Sequence, residues 1–362
     1  MQDMEPSMTE TSEKKSLPPM RKVILGVVIA MAVAFVVFSI TEIQSVLEAV
    51  RSGNLAFLLL AMALEVACLI NNSANYRTLY RLVGLEESLR QLFMMSTAST
   101  FINMIAPSGG IGGMAVFIDS ARKRGYSSAK VMVVGILYVI YEYISLLLVV
   151  ALGFIALIRR HDLTTGQIIA AVILFLFVVV FSLVLYFGYR STEKLGEFLF
   201  NAAGWINRRL HPIFHRDLIH AEGAHTLVRD IAEGVQALQG KRKELIAPLL
   251  YALANKALLI GVLTTVFLSL KVPFSTGTIV AGYSIAQLFF YIMPTPAGVG
   301  FVEGIFPITL NALLVPFAQA VLITLIYRGI TVWLSFIIGF LSFQRLQREN
   351  ATTTPPPLAQ ED

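Results

Sequence analysis

Apolar residues in this chain come in long unbroken runs, without the three-to-four spacing of a soluble helix or the alternation of a strand. Val23–Ile40, Leu55–Asn75, Val131–Ile158, Gln167–Tyr189, Leu245–Leu270 and Phe317–Phe343 reach or approach the ~20 residues that carry a helix across a bilayer. The first run follows Arg21 and Lys22. It is too long for a signal-peptide core and no small-residue cleavage site follows it, so it reads as an anchor. Two more apolar stretches, 91–118 and 277–315, are broken in the middle. One break is Asn103-Met104-Ile105-Ala106-Pro107-Ser108-Gly109-Gly110-Ile111-Gly112-Gly113; the other is Met293-Pro294-Thr295-Pro296-Ala297-Gly298-Val299-Gly300-Phe301-Val302-Glu303-Gly304. Proline removes an intrahelical hydrogen bond and glycine weakens a helix. Within a bilayer such a break survives only where protein or a watery cavity covers it. The pattern therefore predicts two re-entrant hairpins, against the plainer alternative of short surface loops joining ordinary helices.

The two breaks share a pattern. Pro107-x-Gly109 answers Pro296-x-Gly298 at an offset of 189 residues, and the same offset carries Tyr138 onto Tyr327. This indicates an internal repeat. Three spans separate the hairpins, an odd number, so the two copies enter from opposite faces and form an inverted repeat. Charge gives an independent check through the positive-inside rule. With both termini cytoplasmic, 22 of the 28 Lys and Arg fall in inside segments. Arg51, Arg159, Arg160 and Lys271 fall outside, and Lys256 and Arg328 lie within the membrane. The expected architecture is an all-α polytopic membrane protein with about six spanning helices and two broken hairpins.

Composition agrees: 56% of residues are hydrophobic and mean hydropathy is +0.72, while 14% are charged against a usual ~25%. Residues 1–19 and 344–362 are polar, Pro-bearing and expected to be disordered cytoplasmic tails flanking a membrane domain over 20–343. The one sizeable polar insertion, 190–244, holds Leu195, Phe198, Leu199, Ala202, Trp205, Ile206 and Leu210 at helical spacing beside Lys194, Arg208 and Arg209. That is the pattern of a helix lying in the cytoplasmic headgroup layer. The single cysteine, Cys68, excludes an intrachain disulfide. The net charge of +5 sits in loops and speaks for membrane orientation, not for nucleic acid.

Chemistry must come from the few polar groups at depth: Glu65, Asn71, Asn72, Asn75, Glu142, Asn255, Lys256, Gln287, Glu303 and Arg328. Ionisable residues there are costly, and they face a cavity or a partner. One reading is internal pairing that fixes helix packing, Glu142 with Lys256 or Glu303 with Arg328. The other is a binding site. Glu303 follows the second break, where a half-helix N-terminus offers free N–H groups to a phosphate or carboxylate, and Arg328 and Lys256 would add positive charge. His211, His215, His220 and His225 crowd the insertion, but their spacing does not set them on one helix face, so no metal is expected. The run Gly109–Gly113 lacks the βαβ setting of a dinucleotide fingerprint, and no P-loop or GxSxG is present. No cofactor and no catalytic constellation follow from these residues.

The order Asn75-Tyr76-Arg77-x-x-Tyr80, Asn103-x-x-x-Pro107-x-Gly109-Gly110, Pro296-x-Gly298-x-Gly300-x-x-Glu303-Gly304 and Tyr327-Arg328 resembles the flippase-like membrane domain of the lysylphosphatidylglycerol synthase transmembrane family, over residues 20–345. Here Gly112-Gly113-Met114 stands where many relatives have an acidic residue. Relatives with synthase activity carry a soluble aminoacyl-transferase domain, for which this chain leaves no room, so the expectation is not an enzyme. The resemblance implies a translocase moving a polar-headed phospholipid or polyprenyl-phosphate lipid between leaflets of a bacterial or archaeal plasma membrane. Its expected partner is a lipid with an anionic or zwitterionic headgroup, with homodimerisation left open. The substrate-binding set implied is Asn103, Pro107, Gly109, Gly110, Pro296, Gly298, Gly300, Glu303, Arg328, Lys256, Glu142 and Arg77. The alternatives are a secondary transporter of a small ion or metabolite, or an accessory subunit of lipid-linked glycan assembly.

The topology is testable directly. Single cysteines at Ser108 and Ala297, in a Cys68→Ser background, are expected to react with impermeant thiol reagents from opposite sides of the membrane. Labelling of both from the cytoplasm alone would exclude the inverted repeat.

Overall fold

The apolar runs become helices because a backbone in hydrocarbon has no water to bond and must satisfy itself. The structure is a computed structural model and describes residues 54–105, 112–159, 163–190 and 243–352 without Pro294, together with positions 196, 201 and parts of 231–241. The anchor at Val23–Ile40, the centre of the first break (Pro107, Gly109, Gly110), the helix around Trp205, the histidine cluster and residues 353–362 lie outside the described residues. Among the described residues every regular element is helical. In order these are α1 (Leu55–Leu82), α2 (Leu89–Ile105), α3 (Met114–Lys123), α4 (Ser128–Arg159), α5 (Thr165–Arg190), α6 (Ile246–Ser269) and α7 (Thr276–Ile292). A 3₁₀ turn (Pro296–Gly298), α8 (Phe301–Ala312), α9 (Phe317–Arg328), a π-helical segment (Gly329–Leu334) and α10 (Ser335–Thr352) follow.

Five helical stretches are long and apolar enough to cross a membrane: α1, α4, α5, α6 and the continuous α9–π–α10 rod. The chain is therefore a multi-pass membrane protein. Both broken stretches form pairs of shorter helices, α2 with α3 and α7 with α8. At 1.5 Å per residue α7 is about 26 Å long and α8 about 18 Å, each short of a ~30 Å hydrocarbon core.

Two long helices form the spine. Asn54 caps α1 by accepting the Ala56 N–H at 3.0 Å, and its own N–H donates to the Ser269 carbonyl at the far end of α6. Towards the other end of α1, Asn71 Nδ2 donates to the Tyr251 carbonyl near the start of α6 at 2.9 Å. The two helices thus run antiparallel along their length. α4 is the most enclosed spanning helix, with 72% of its apolar stretch buried against 22% for α5. That difference places α4 in the middle of the bundle and α5 at its rim, where Ile169, Val172, Phe175 and Leu176 are exposed on the outer surface. One apolar core joins α1, α4, α6, α7, α8 and α9; a second joins the other half of α1 to α2, α3 and the start of α4.

Small residues bring two of these contacts close, as they do between membrane helices generally. Gly339 of α10 lies against Thr97 and Phe101 of α2, and Gly153 of α4 lies against Ala281 and Ser284 of α7. In neither place is there room for a methyl group.

The structure differs from the sequence expectations in three places. α1 continues to Leu82, past the expected end of the span at Asn75, because Tyr76, Leu79, Tyr80 and Leu82 are all buried and extend the apolar face by two turns. Lys241 Nζ then satisfies the terminal Leu82 carbonyl at 2.7 Å. The last helix runs to Thr352, past the expected start of the tail at 344, because Leu346 is buried and the residues around it are good helix formers. Finally, the span Phe317–Phe343 contains one π-helical turn, Gly329–Leu334, which a hydropathy pattern does not register.

Candidate functional site

The second break is held by one arginine. After α7 ends, Ala297 takes a left-handed conformation (φ 51°, ψ 20°), a backbone state costing an alanine about 1–2 kcal/mol. Gly298 and Gly300 are also left-handed, at φ 68° and 86°, where a glycine carries no such penalty. Gly300 then starts α8, and Glu303 reaches back so that its Oε2 accepts the Gly300 N–H at 2.7 Å, one half of a capping box. Arg328, at the end of α9, donates from Nε to Glu303 Oε1 at 2.7 Å and from Nη2 to the Ala297 carbonyl at 2.7 Å. Its guanidinium lies over the Phe290 ring, 5.8 Å from the centroid. One planar fork therefore grips both sides of the break, a geometry that lysine lacks.

Beside this clamp is a cavity of about 200 Å³. Its wall draws on α1, α2, α4, α6, α7, the break, α8, α9 and the π segment, so nearly the whole bundle closes around it. Residues beside both breaks line it. Asn103 and Met104, just before the first break, share the wall with Thr295 and Ala297 from the second, and Met104, Ala297 and Val332 pack together as a small cluster. Asn103 Oδ1 accepts the Gly113 N–H at 2.6 Å, bridging from α2 to the start of α3.

A second buried ion pair joins α6 to α4. Lys256, 1% exposed, donates to Glu142 Oε2, and its ammonium lies 5.7 Å from the Tyr291 ring centroid. The Tyr291 hydroxyl donates to the same carboxylate oxygen at 3.4 Å. A third carboxylate, Glu65 of α1, accepts a hydrogen bond from Ser335 Oγ at 2.6 Å and forms no ion pair among the described residues. Gln287 Nε2 donates to the Tyr327 hydroxyl at 3.3 Å, fixing two more polar groups on the wall.

The fully buried wall atoms left without a partner are oxygens. Glu65 Oε2, Asn72 Oδ1, Glu142 Oε1, Asn255 Oδ1 and Thr295 Oγ1 are buried and have no hydrogen-bond partner among the described residues. A buried polar atom without a partner costs about 1–3 kcal/mol, so these positions call for water or a ligand that donates hydrogen bonds.

The expected residues are distributed unevenly around this space. Asn103, Glu142 and Arg328 line the cavity. Glu303 and Lys256 stand behind the wall, each against the opposite charge that lines it, and Gly298 and Gly300 shape the break without lining it. The free half-helix N–H groups expected to meet a phosphate are not all available, since the chain's own Glu303 takes that of Gly300. Arg77 is half-buried on α1, away from the cavity wall. Pro296 belongs to the 3₁₀ turn. Tyr138, Tyr143, Tyr291, Thr331 and Ser335 line the cavity and were not singled out as ligands from sequence, since aromatic and hydroxyl residues in an apolar run read as packing.

Fold and site together define a polytopic α-helical membrane protein built around a polar cavity at helix breaks. The family model for the lysylphosphatidylglycerol synthase TM region matches residues 23–339, most of the chain, and the protein belongs to that family. The matched region is the family's transmembrane part. Among curated proteins none matches the chain.

The arginine clamp makes a stability prediction. Arg328→Gln leaves the Glu303 carboxylate buried without its cation and is expected to destabilise by about 3–5 kcal/mol, whereas the Glu303→Gln, Arg328→Gln double variant regains most of that loss. Thermal unfolding of purified single and double variants in detergent checks this. A single variant as stable as the wild type would remove the clamp from the account.

Proposed function

We propose that the protein is a lipid translocase, passing the polar headgroup of a membrane lipid through the central cavity while the acyl chains stay in the bilayer. The observation that carries this reading is the cavity itself: a polar wall inside an otherwise apolar bundle, lined by residues beside both helix breaks. Its ~200 Å³ matches about seven waters at ~30 Å³ each, the scale of a compact headgroup.

The pattern of used and unused atoms favours a zwitterionic headgroup over a purely anionic one. Both interior cations are already matched by carboxylates, so neither brings a full unpaired charge. Arg328 has spent Nε and Nη2 on the break and keeps Nη1 for a phosphate oxygen. Glu142 Oε1 and the amide oxygens of Asn72 and Asn255 would receive the ammonium or hydroxyl donors at the other end. Tyrosine rings on the same wall suit a cation as well.

Movement between leaflets asks for a site that opens alternately, and an inverted repeat supplies one. Shifted by 189 residues, the first residues of α1, α2, α3 and α4 fall within two residues of those of α6, α7, α8 and α9. The packing follows the same correspondence: α2 packs on α10 as α7 packs on α4, and the equivalent helices α1 and α6 run antiparallel. These features support two copies of one unit facing opposite ways, with the broken pairs as re-entrant hairpins. On this reading both termini are cytoplasmic and the membrane is a bacterial or archaeal plasma membrane.

The purified protein would be reconstituted in liposomes with fluorescent lipids of different headgroups, and transfer scored with an impermeant quencher. Faster transfer of a zwitterionic aminoacyl- or ethanolamine-type lipid than of phosphatidylglycerol is expected. Transport of a small water-soluble solute with no lipid transfer would instead favour a secondary transporter.

A further inference from the structure

Among the described residues three carboxylates stand in the interior around the cavity, and two of them are matched by a cation. Glu142 is matched by Lys256 and Glu303 by Arg328; Glu65, 3% exposed inside the apolar part of α1, is matched by none among the described residues. Its Oε1 receives the Ser335 hydroxyl, and its Oε2 is buried in the cavity wall without a partner. An isolated carboxylate removed from water costs several kcal/mol even after relaxation, so one kept at this depth takes up a proton or a counter-ion.

The surroundings favour a proton. The titratable and charged groups near the same cavity are Cys68 on α1; Tyr138, Glu142 and Tyr143 on α4; Lys256 on α6; Tyr291 on α7; Glu303 on α8; and Tyr327 and Arg328 on α9. The two cations among them are committed elsewhere, and the nearest donor, Ser335, is already spent on Oε1. What Glu65 lacks is one O–H, on Oε2, where a cavity water can deliver or remove it.

The placement also gives that proton something to do. Ser335 immediately follows the π segment and Arg328 immediately precedes it. π turns in α-helices recur at functional sites. A hydrogen bond to a charged carboxylate is roughly twice as strong as one to a neutral group. Loading Glu65 with a proton therefore weakens the tie from α1 to the rod that carries the clamp arginine.

We propose that Glu65 is a proton-binding site within the cavity that couples headgroup passage to the proton gradient. The carboxylate takes a proton from water while the cavity faces one side of the membrane and returns it to water on the other. One O–H bond forms and later breaks, with no redox partner. The coupling half of this proposal rests on the translocase reading; the proton site itself does not.

Two measurements on the full chain separate these halves. Infrared spectra of reconstituted protein, titrated across the neutral range, are expected to show a protonated-carboxyl C=O band that disappears in Glu65→Gln and persists in Glu142→Gln. The glutamine keeps an oxygen for the Ser335 bond, and an unchanged melting temperature would show that the variant is folded. Absence of the band at every pH would overturn the site. In the second measurement, liposomes of phosphatidylethanolamine and phosphatidylglycerol with a fluorescent ethanolamine lipid are given an imposed pH gradient. Accelerated transfer that is abolished by a protonophore and lost in Glu65→Gln is expected. Transfer indifferent to the pH gradient, or driven by a sodium gradient instead, would overturn the coupling. If the band titrates and no lipid moves in any protein, the proton site stands and the translocase reading fails.

Discussion

The cavity depends on how one broken backbone is held. A chain interrupted between apolar helices must find partners for the groups they release, and here Arg328 supplies them from another helix. Its guanidinium bonds the Ala297 carbonyl before α8 and the Glu303 carboxylate within it, and Glu303 in turn takes the Gly300 N–H. A strained alanine just ahead of two permissive glycines is fixed by charge-assisted bonds. The clamp adds to the packing of Ala297 against Met104 and Val332 that keeps the break on the cavity wall.

The clamp also explains why the interior charges are poor guides to the ligand when read singly. A buried ion pair contributes little net stability compared with apolar packing of the same volume, yet losing one partner is expensive. Glu142–Lys256 and Glu303–Arg328 are each such a commitment, one between α4 and α6 and one across the break. What they leave over differs from what they use: an unbonded guanidinium nitrogen, carboxylate and amide oxygens, and the unmatched Glu65. On the proposed reading, recognition falls to those remaining atoms.

Much of this was legible in the sequence because bilayers impose simple rules. Continuous apolar runs marked α1, α4, α5, α6 and the last rod, and Pro296, Gly298 and Gly300 marked the second break. Both ion pairs were nameable as pairings, since ionisable residues at depth need partners. The rest depended on tertiary placement. That α1 extends to Leu82 follows from the burial of Tyr76 and Tyr80 against neighbours invisible in a hydropathy pattern. The π turn at Gly329–Leu334 adds no unusual residue to an apolar run. Tyr138, Tyr291, Thr331 and Ser335 become cavity residues only when α4, α7 and the last rod converge, and Glu65 stands apart from other buried carboxylates only once their partners are known.

The central claim is that the headgroup travels through this cavity and not along the protein–lipid boundary. Thr331 is half-buried on the cavity wall at the π segment, outside both ion pairs. Replacing it with tryptophan fills the space while leaving the clamp in place. The measurement is the rate of lipid transfer by Thr331→Trp in liposomes, set against its melting temperature. A folded variant with transfer lost is the predicted result; a folded variant that transfers lipid at the wild-type rate would contradict a route through the cavity.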